Sequence, residues 1–152
     1  MSLVDSRARN RPVRVFLSYA DADRTYARHL QELLSPFANF RVFTTDALSA
    51  GEDWTPKLRE EIARSDVFVV LLSPSSVRSA WVLQELGAAW GLNKPIVPVL
   101  TQPEVRDTLS VALQDRRSVD YRSLDDPAAV TQLLEQLAEA AGDEASAQAA
   151  HE

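Results

Sequence analysis

Apolar positions along the chain follow two alternating rhythms. Short β-branched runs appear as VRVFLSY (13–19), FRVFTT (40–45), VFVVLL (67–72) and IVPVL (96–100), with stretches between them whose apolar residues recur every three or four positions. The runs predict strands and the stretches helices, the alternation of a protein built on a parallel sheet. The run at 67–72 is apolar throughout, which marks a strand buried on both faces and therefore central. RRSVDY (116–121) is a weaker fifth strand, predicted at an edge.

Tyr26, Leu30, Leu33, Leu34 and Phe37 keep helical spacing after Asp21, the predicted N-cap. The next helix opens near WTPKLREEIA, where Pro56 suits a first turn because the N–H it lacks would be unpaired there. The last is predicted over 128–140, with Asp126 and Pro127 as cap and first residue and Val130, Leu133, Leu134, Leu137 and Ala141 along one side. A short helix is predicted within 103–113. After Gly142, DEASAQAAHE has no apolar stripe. The expected organisation is an N-terminal extension (1–12), one domain (13–141) and a disordered tail or linker (142–152). The expected fold class is α/β, a flavodoxin-like doubly wound sheet of five parallel strands with helices on both faces. Such sheets bind ligands outside the carboxyl ends of their strands; here those ends are 18–21, 44–54, 73–79 and Thr101.

The segment SAWVLQELGAAWGLNKPIVPVL (79–100) breaks the pattern. On a helix, Trp81, Val82, Leu83, Leu86, Ala88, Ala89, Trp90 and Leu92 cover one wide apolar arc, leaving Gln84, Gly87 and Gly91 opposite. Glu85 projects inside that arc, where an unpaired carboxylate costs several kcal/mol or takes up a proton. It either pairs with a partner, such as an arginine on an adjacent helix, or lines a cavity. Trp81, one turn earlier, rises into the same space. A carboxylate beside an indole suits a sugar hydroxyl with an aromatic or cationic ring stacked above it.

The other strand ends read two ways each. SYADADR is a capped helix start, or Tyr19, Ala20 and the following amides form part of a ligand floor. Neither G-x-G-x-x-G nor G-x-x-x-x-G-K-[ST] occurs, which disfavours ordinary dinucleotide and P-loop chemistry. TTDALSAGEDW (44–54) is long for a strand-to-helix loop and carries Ala47, Leu48, Ala50 and Trp54; it folds back on its own domain or docks onto a neighbour. Ser73, Ser75, Ser76 and Ser79 are individually turn and cap residues, yet as a set they ring the entrance to the Glu85 helix.

Composition narrows the classes. The 152 residues suit one domain, and a net charge of −6 without a basic, aromatic-interleaved run speaks against nucleic acid. Cysteine is absent, which removes disulfides, thiolate metal sites and cysteine nucleophiles and agrees with a cytoplasmic setting. His29 sits on a helix and His151 in the tail, so neither a Ser/His pair nor a metal site is expected. No apolar run is long enough to span a bilayer and the amino end lacks an apolar h-region, so no membrane partner is expected.

Taken in order and spacing, RVFLSYADADR, TTDALSAGEDW, EEIARSDVFVVLLSPSSVRSAWVLQELGAAW and KPIVPVL resemble a Toll/interleukin-1 receptor (TIR) domain of the bacterial or plant-like type, from about 13 to 120. The resemblance implies the flavodoxin-like fold and adds chemistry. Many TIR domains cleave NAD+ between nicotinamide and ribose using the glutamate of a W-x-x-x-E-L segment, here 81–86, so the catalytic role falls on Glu85. It implies substrate binding by Trp81, by Tyr19 and Ala20, by Phe43, Asp46, Trp54 and Lys57 around the long loop, and by Ser73 and Ser79 at the pocket mouth. NAD+ is then a substrate, and no cofactor or metal is implied. Capture of the sugar by water gives hydrolysis, and capture by an adenine nitrogen gives cyclisation. The 44–54 loop corresponds to the family's BB loop, which implies other TIR domains as partners in a head-to-tail homo-oligomer whose site a neighbour completes. Members without the glutamate act as scaffolds that signal by association, the alternative function. Val82 stands where many relatives have cysteine. The family suggests a part in bacterial defence.

Overall fold

A computed structural model describes residues 11–44, 54–108, 113 and 116–151, with only the backbone described at 54–55 and 143–151. Its strands are β1 (Val13–Ser18), β2 (Phe40–Phe43), β3 (Val67–Leu72), β4 (Ile96–Leu100) and β5 (Val119–Asp120), and its α-helices α1 (Arg24–Leu34), α2 (Trp54–Arg64), α3 (Ala80–Gly91) and α4 (Pro127–His151). All strand pairs are parallel, in the order β2-β1-β3-β4-β5. The all-apolar run is the central strand β3, buried at every residue. β5 is the predicted edge strand but only two residues long, paired with Val99 and Leu100. Just before it, the Arg117 carbonyl accepts from Gln136 Nε2 on α4 (3.0 Å).

Side-chain alternation along β1 divides the core in two. Val13, Val15, Leu17 and Tyr19 pack with Leu30 and Leu34 of α1 and Leu133, Leu134 and Leu137 of α4. Phe16 and Ala20 belong to the other layer, with Phe68, Val70 and Leu72 of β3, Ile62 of α2 and Val82, Leu86 and Ala89 of α3. Phe16 stacks on Phe68 with ring centroids 5.5 Å apart.

Several expectations need correction. Asp21 does not cap α1: a 3-10 turn over Asp21–Asp23 comes first, Asp21 pairs with Arg24 (3.1 Å), and Asp23 takes the N-cap position. The short helix expected within 103–113 is present, and among the described residues it is of the 3-10 type over Pro103–Thr108. The last helix starts as expected, with Asp126 Oδ1 accepting from the Ala128 amide (2.9 Å), but continues to His151. Alanine, glutamate and glutamine after Gly142 favour helix without an apolar stripe, so periodicity understates its length.

Candidate active site

Strand order reverses about β1 and β3. The chain leaves β1 for β2 on one side and returns to β3 on the other, so the crevice between their carboxyl ends is the topological switch point. A serine network closes one side of it. Ser73 Oγ donates to the buried carboxylate of Asp23 (2.5 Å) and accepts from the amides of Ser75 (3.1 Å) and Ser76 (3.0 Å). Ser76 Oγ accepts from the Ser73 amide (2.7 Å). Ser79 is the N-cap of α3, accepting from the Val82 amide (3.3 Å). These bonds start α3 at the carboxyl end of the sheet.

On α3 the buried stripe is narrower than the apolar arc suggested. Val82, Glu85, Leu86 and Ala89 are buried, whereas Leu83, Trp90 and Leu92 are 48%, 58% and 43% exposed. Leu83 and Trp90 stand seven residues apart, two turns along one side, and that side faces away from the sheet.

Glu85 is at the centre of the buried stripe and only 1% exposed. Its Oε1 accepts a 2.5 Å hydrogen bond from Ser18 Oγ at the end of β1. Its Oε2 has no partner among the described residues, and the same holds for Thr101 Oγ1 after β4. The arginine partner that would make Glu85 a purely structural ion pair is not seen among the described residues. Burial raises the carboxyl pKa from 4.5 to about 7, against the opposing effect of the Ser18 hydroxyl. It therefore titrates near neutral pH, well above the usual carboxylate range.

The residues singled out in the sequence gather unevenly around Glu85. Trp81, half-buried, lies one turn nearer the start of α3, between Glu85 and the carboxyl rim of the sheet. Ala20 and Phe43 belong to the same core layer as Val82 and Leu86, Phe43 lying 5.5 Å from Phe16 ring to ring. Tyr19 is buried in the opposite layer, with α1 and α4, so its side chain and Glu85 are on different faces of the sheet. Ser73 and Ser79 are engaged in the turn and cap just described, and Lys57 is exposed on α2. Asp46 and the Trp54 side chain lie outside the described residues.

Ser18, the residue that touches Glu85, is absent from the residues singled out above. Alternation could have found it: two positions after Phe16 and two before Ala20, it must share their face. A separate cleft of about 370 Å³, lined by Arg11, Arg14, Arg41, Phe43 and Glu61 among others, opens beside the amino-terminal half of β1. Arg11 there is held by Asp66 (2.8 and 3.0 Å) and Arg14 by Glu61 (3.7 Å).

Comparison with known proteins supplies the family. The chain is similar to the TIR domain of the Toll-related receptor TRR-2 from Hydra magnipapillata, at 20% identity and a TM-score of 0.68 over 82% of this chain and 97% of that one. It is similar to the TIR domains of the activated Roq1 resistosome, at 24% identity and a TM-score of 0.55 over 84% of each chain. It is also similar to a CMP N-glycosidase, BcmB, from Clostridium botulinum, at 18% identity and a TM-score of 0.56 over 81% of this chain and 98% of that one. At these identities the likeness establishes the fold. No curated protein matches the chain by sequence. A family profile for the TIR domain matches residues 15–134, which takes in every strand from Val15 of β1 onward, the Ser18–Glu85 contact and the first turns of α4, and the chain belongs to the TIR domain family.

Proposed function

We propose that this TIR domain cleaves NAD+ at the bond between nicotinamide and ribose, with Glu85 as the essential carboxylate. The observation that carries the reading is a glutamate 1% exposed, without a counter-ion and with one oxygen unpartnered among the described residues. A glutamate kept for stability would be paired, because leaving it desolvated and single costs the fold energy. A site that must meet a cation gains from that arrangement. The nicotinamide ring of NAD+ is cationic and leaves neutral, while positive charge develops on the ribose. Ionised Glu85 stabilises that charge, and because the leaving group needs no proton, positioning and electrostatics carry the rate. Water adds to the sugar carbon, giving ADP-ribose, nicotinamide and one proton; capture by an adenine nitrogen gives the cyclic product instead. Trp81 supplies a flat wall on the path between Glu85 and the rim. BcmB, on the same fold, is an N-glycosidase, which supports the bond class and not the substrate.

Glu85 lies below the surface, so substrate reaches Oε2 only when the groups above it shift. We take assembly with other copies through the 44–54 loop as the event that opens and completes the site. The test is nicotinamide release from NAD+, followed by NMR at low and high protein concentration. The expected outcome is release that grows faster than protein concentration and disappears in Glu85→Ala. The second reading, a scaffold that associates without turnover, has its own observation in the exposed apolar side chains of Leu83 and Trp90 on one side of α3. Wild type that self-associates but releases no nicotinamide would favour it.

A further inference from the structure

We propose that Ser18 is the positioning residue of the site: from the end of β1 it holds Glu85 Oε1, fixes the plane of the carboxyl group and reserves Oε2 for the substrate. The inference rests on the NAD+-cleavage reading and names the residue on which that reading's carboxyl depends.

A glutamate side chain has several rotatable bonds, and Glu85 emerges among Val82, Leu86 and Ala89, none of which can orient it by hydrogen bonding. Ser18 can. It is 1% exposed, and its backbone is in register with Val70 of the central strand, so the hydroxyl is presented from a buried, paired strand. A serine hydroxyl has one proton, and here it is given to Oε1 at 2.5 Å. Oε2 is left to be satisfied by something else. The bond also stabilises the ionised carboxyl against burial.

Other charges do not share this work. α3 packs on β1, β3, α2 and the 3-10 turn Ser76–Arg78, and shares its core layer with β4 and the 3-10 helix Pro103–Thr108. Their charged groups among the described residues are Arg14 on β1, Lys57, Arg59, Glu60, Glu61 and Arg64 on α2, Arg78 on the turn, and the exposed Glu104, Arg106 and Asp107 on Pro103–Thr108; β3 and β4 have none. Arg14 faces Glu61 (3.7 Å), and Arg64 faces Glu60 (3.5 Å) and Glu61 (3.9 Å). Burial and Ser18 alone account for the shift at Glu85.

Two measurements test the proposal, one needing turnover and one not. In kinetics, Ser18→Ala is expected to lower kcat roughly 10- to 100-fold with KM nearly unchanged, since a misaligned carboxyl costs the transition state more than substrate binding. Ser18→Thr, which keeps a hydroxyl, is expected to recover most of the loss. In 13C NMR of the Glu85 carboxyl, identified by its absence in Glu85→Gln, Ser18→Ala is expected to raise the titration midpoint by about one pH unit and Ser18→Thr to restore it. A midpoint that does not move, or a Ser18→Ala enzyme with the wild-type kcat, overturns the proposal. A wild type inactive on NAD+ while the midpoint moves sinks the cleavage reading alone, so the two failures are distinguishable.

Discussion

At Glu85 the energetics of stability and of the proposed function pull in opposite directions. Below about pH 4.5 the carboxyl is protonated in both folded and unfolded chains and burial costs little. Between 4.5 and about 7 the unfolded chain ionises while the folded one keeps its proton, so stability falls as pH rises, and above 7 the full cost is present. The difference corresponds to roughly 3 kcal/mol. Glu85→Gln keeps the shape and removes the ionisation. In urea unfolding it is expected to be more stable than wild type by roughly 2 kcal/mol at pH 8, with the two converging toward pH 4. A variant less stable than wild type at pH 8 would contradict this. On the proposed NAD+-cleavage reading the same ionisation governs the reaction: kcat/KM is expected to climb about tenfold per pH unit below pH 7 and to level off above it, because that reading uses the carboxylate form. Glu85 was legible in the sequence as a charge on the wrong side of a helix. Ser18 was equally available from strand alternation, but a serine at a strand end resembles any turn residue until its partner is known.

α3 is the element on which the site depends, and its start is a capping problem. Loss of the Ser79 cap is expected to cost about 1 kcal/mol or less, the bond being a long 3.3 Å, and to lower activity because the first turn holds Trp81. Asp126→Ala, at the start of α4 and away from Glu85, is expected to cost about 1 kcal/mol in unfolding while leaving nicotinamide release unchanged. The pair separates local fraying of the site from general destabilisation. Strands with a strong apolar signature, VFVVLL and IVPVL, were legible to the residue, because burial on both faces leaves no other pattern. Boundaries set by hydrogen bonds were not: the 3-10 turn before α1 depends on Asp23 finding Ser73, fifty residues away. Nor was the width of the buried stripe on α3 legible, since an apolar residue on a helix need not face the core, and Leu83 and Trp90 do not.

For the whole molecule, one sheet both builds the core and gathers the site. Its strand order brings Ser18, Asp23, Ser73 and the start of α3 to the switch point, and no helix among the described residues is long and apolar enough to cross a membrane. The parallel α/β architecture was legible from alternation alone, whereas the contacts of residues 45–53 with any second molecule are written in no single chain. If assembly completes the site, specific activity rises with concentration and falls again on dilution; activity per molecule that stays flat across a hundredfold range would remove assembly from the mechanism. The role of Glu85 is tested most simply by nicotinamide release from NAD+ by concentrated wild type beside Glu85→Gln at the same concentration and pH 7.5. Release by wild type and a loss of at least about a hundredfold in the variant are expected. Equal release by both would show that the buried carboxyl of Glu85 does not take part.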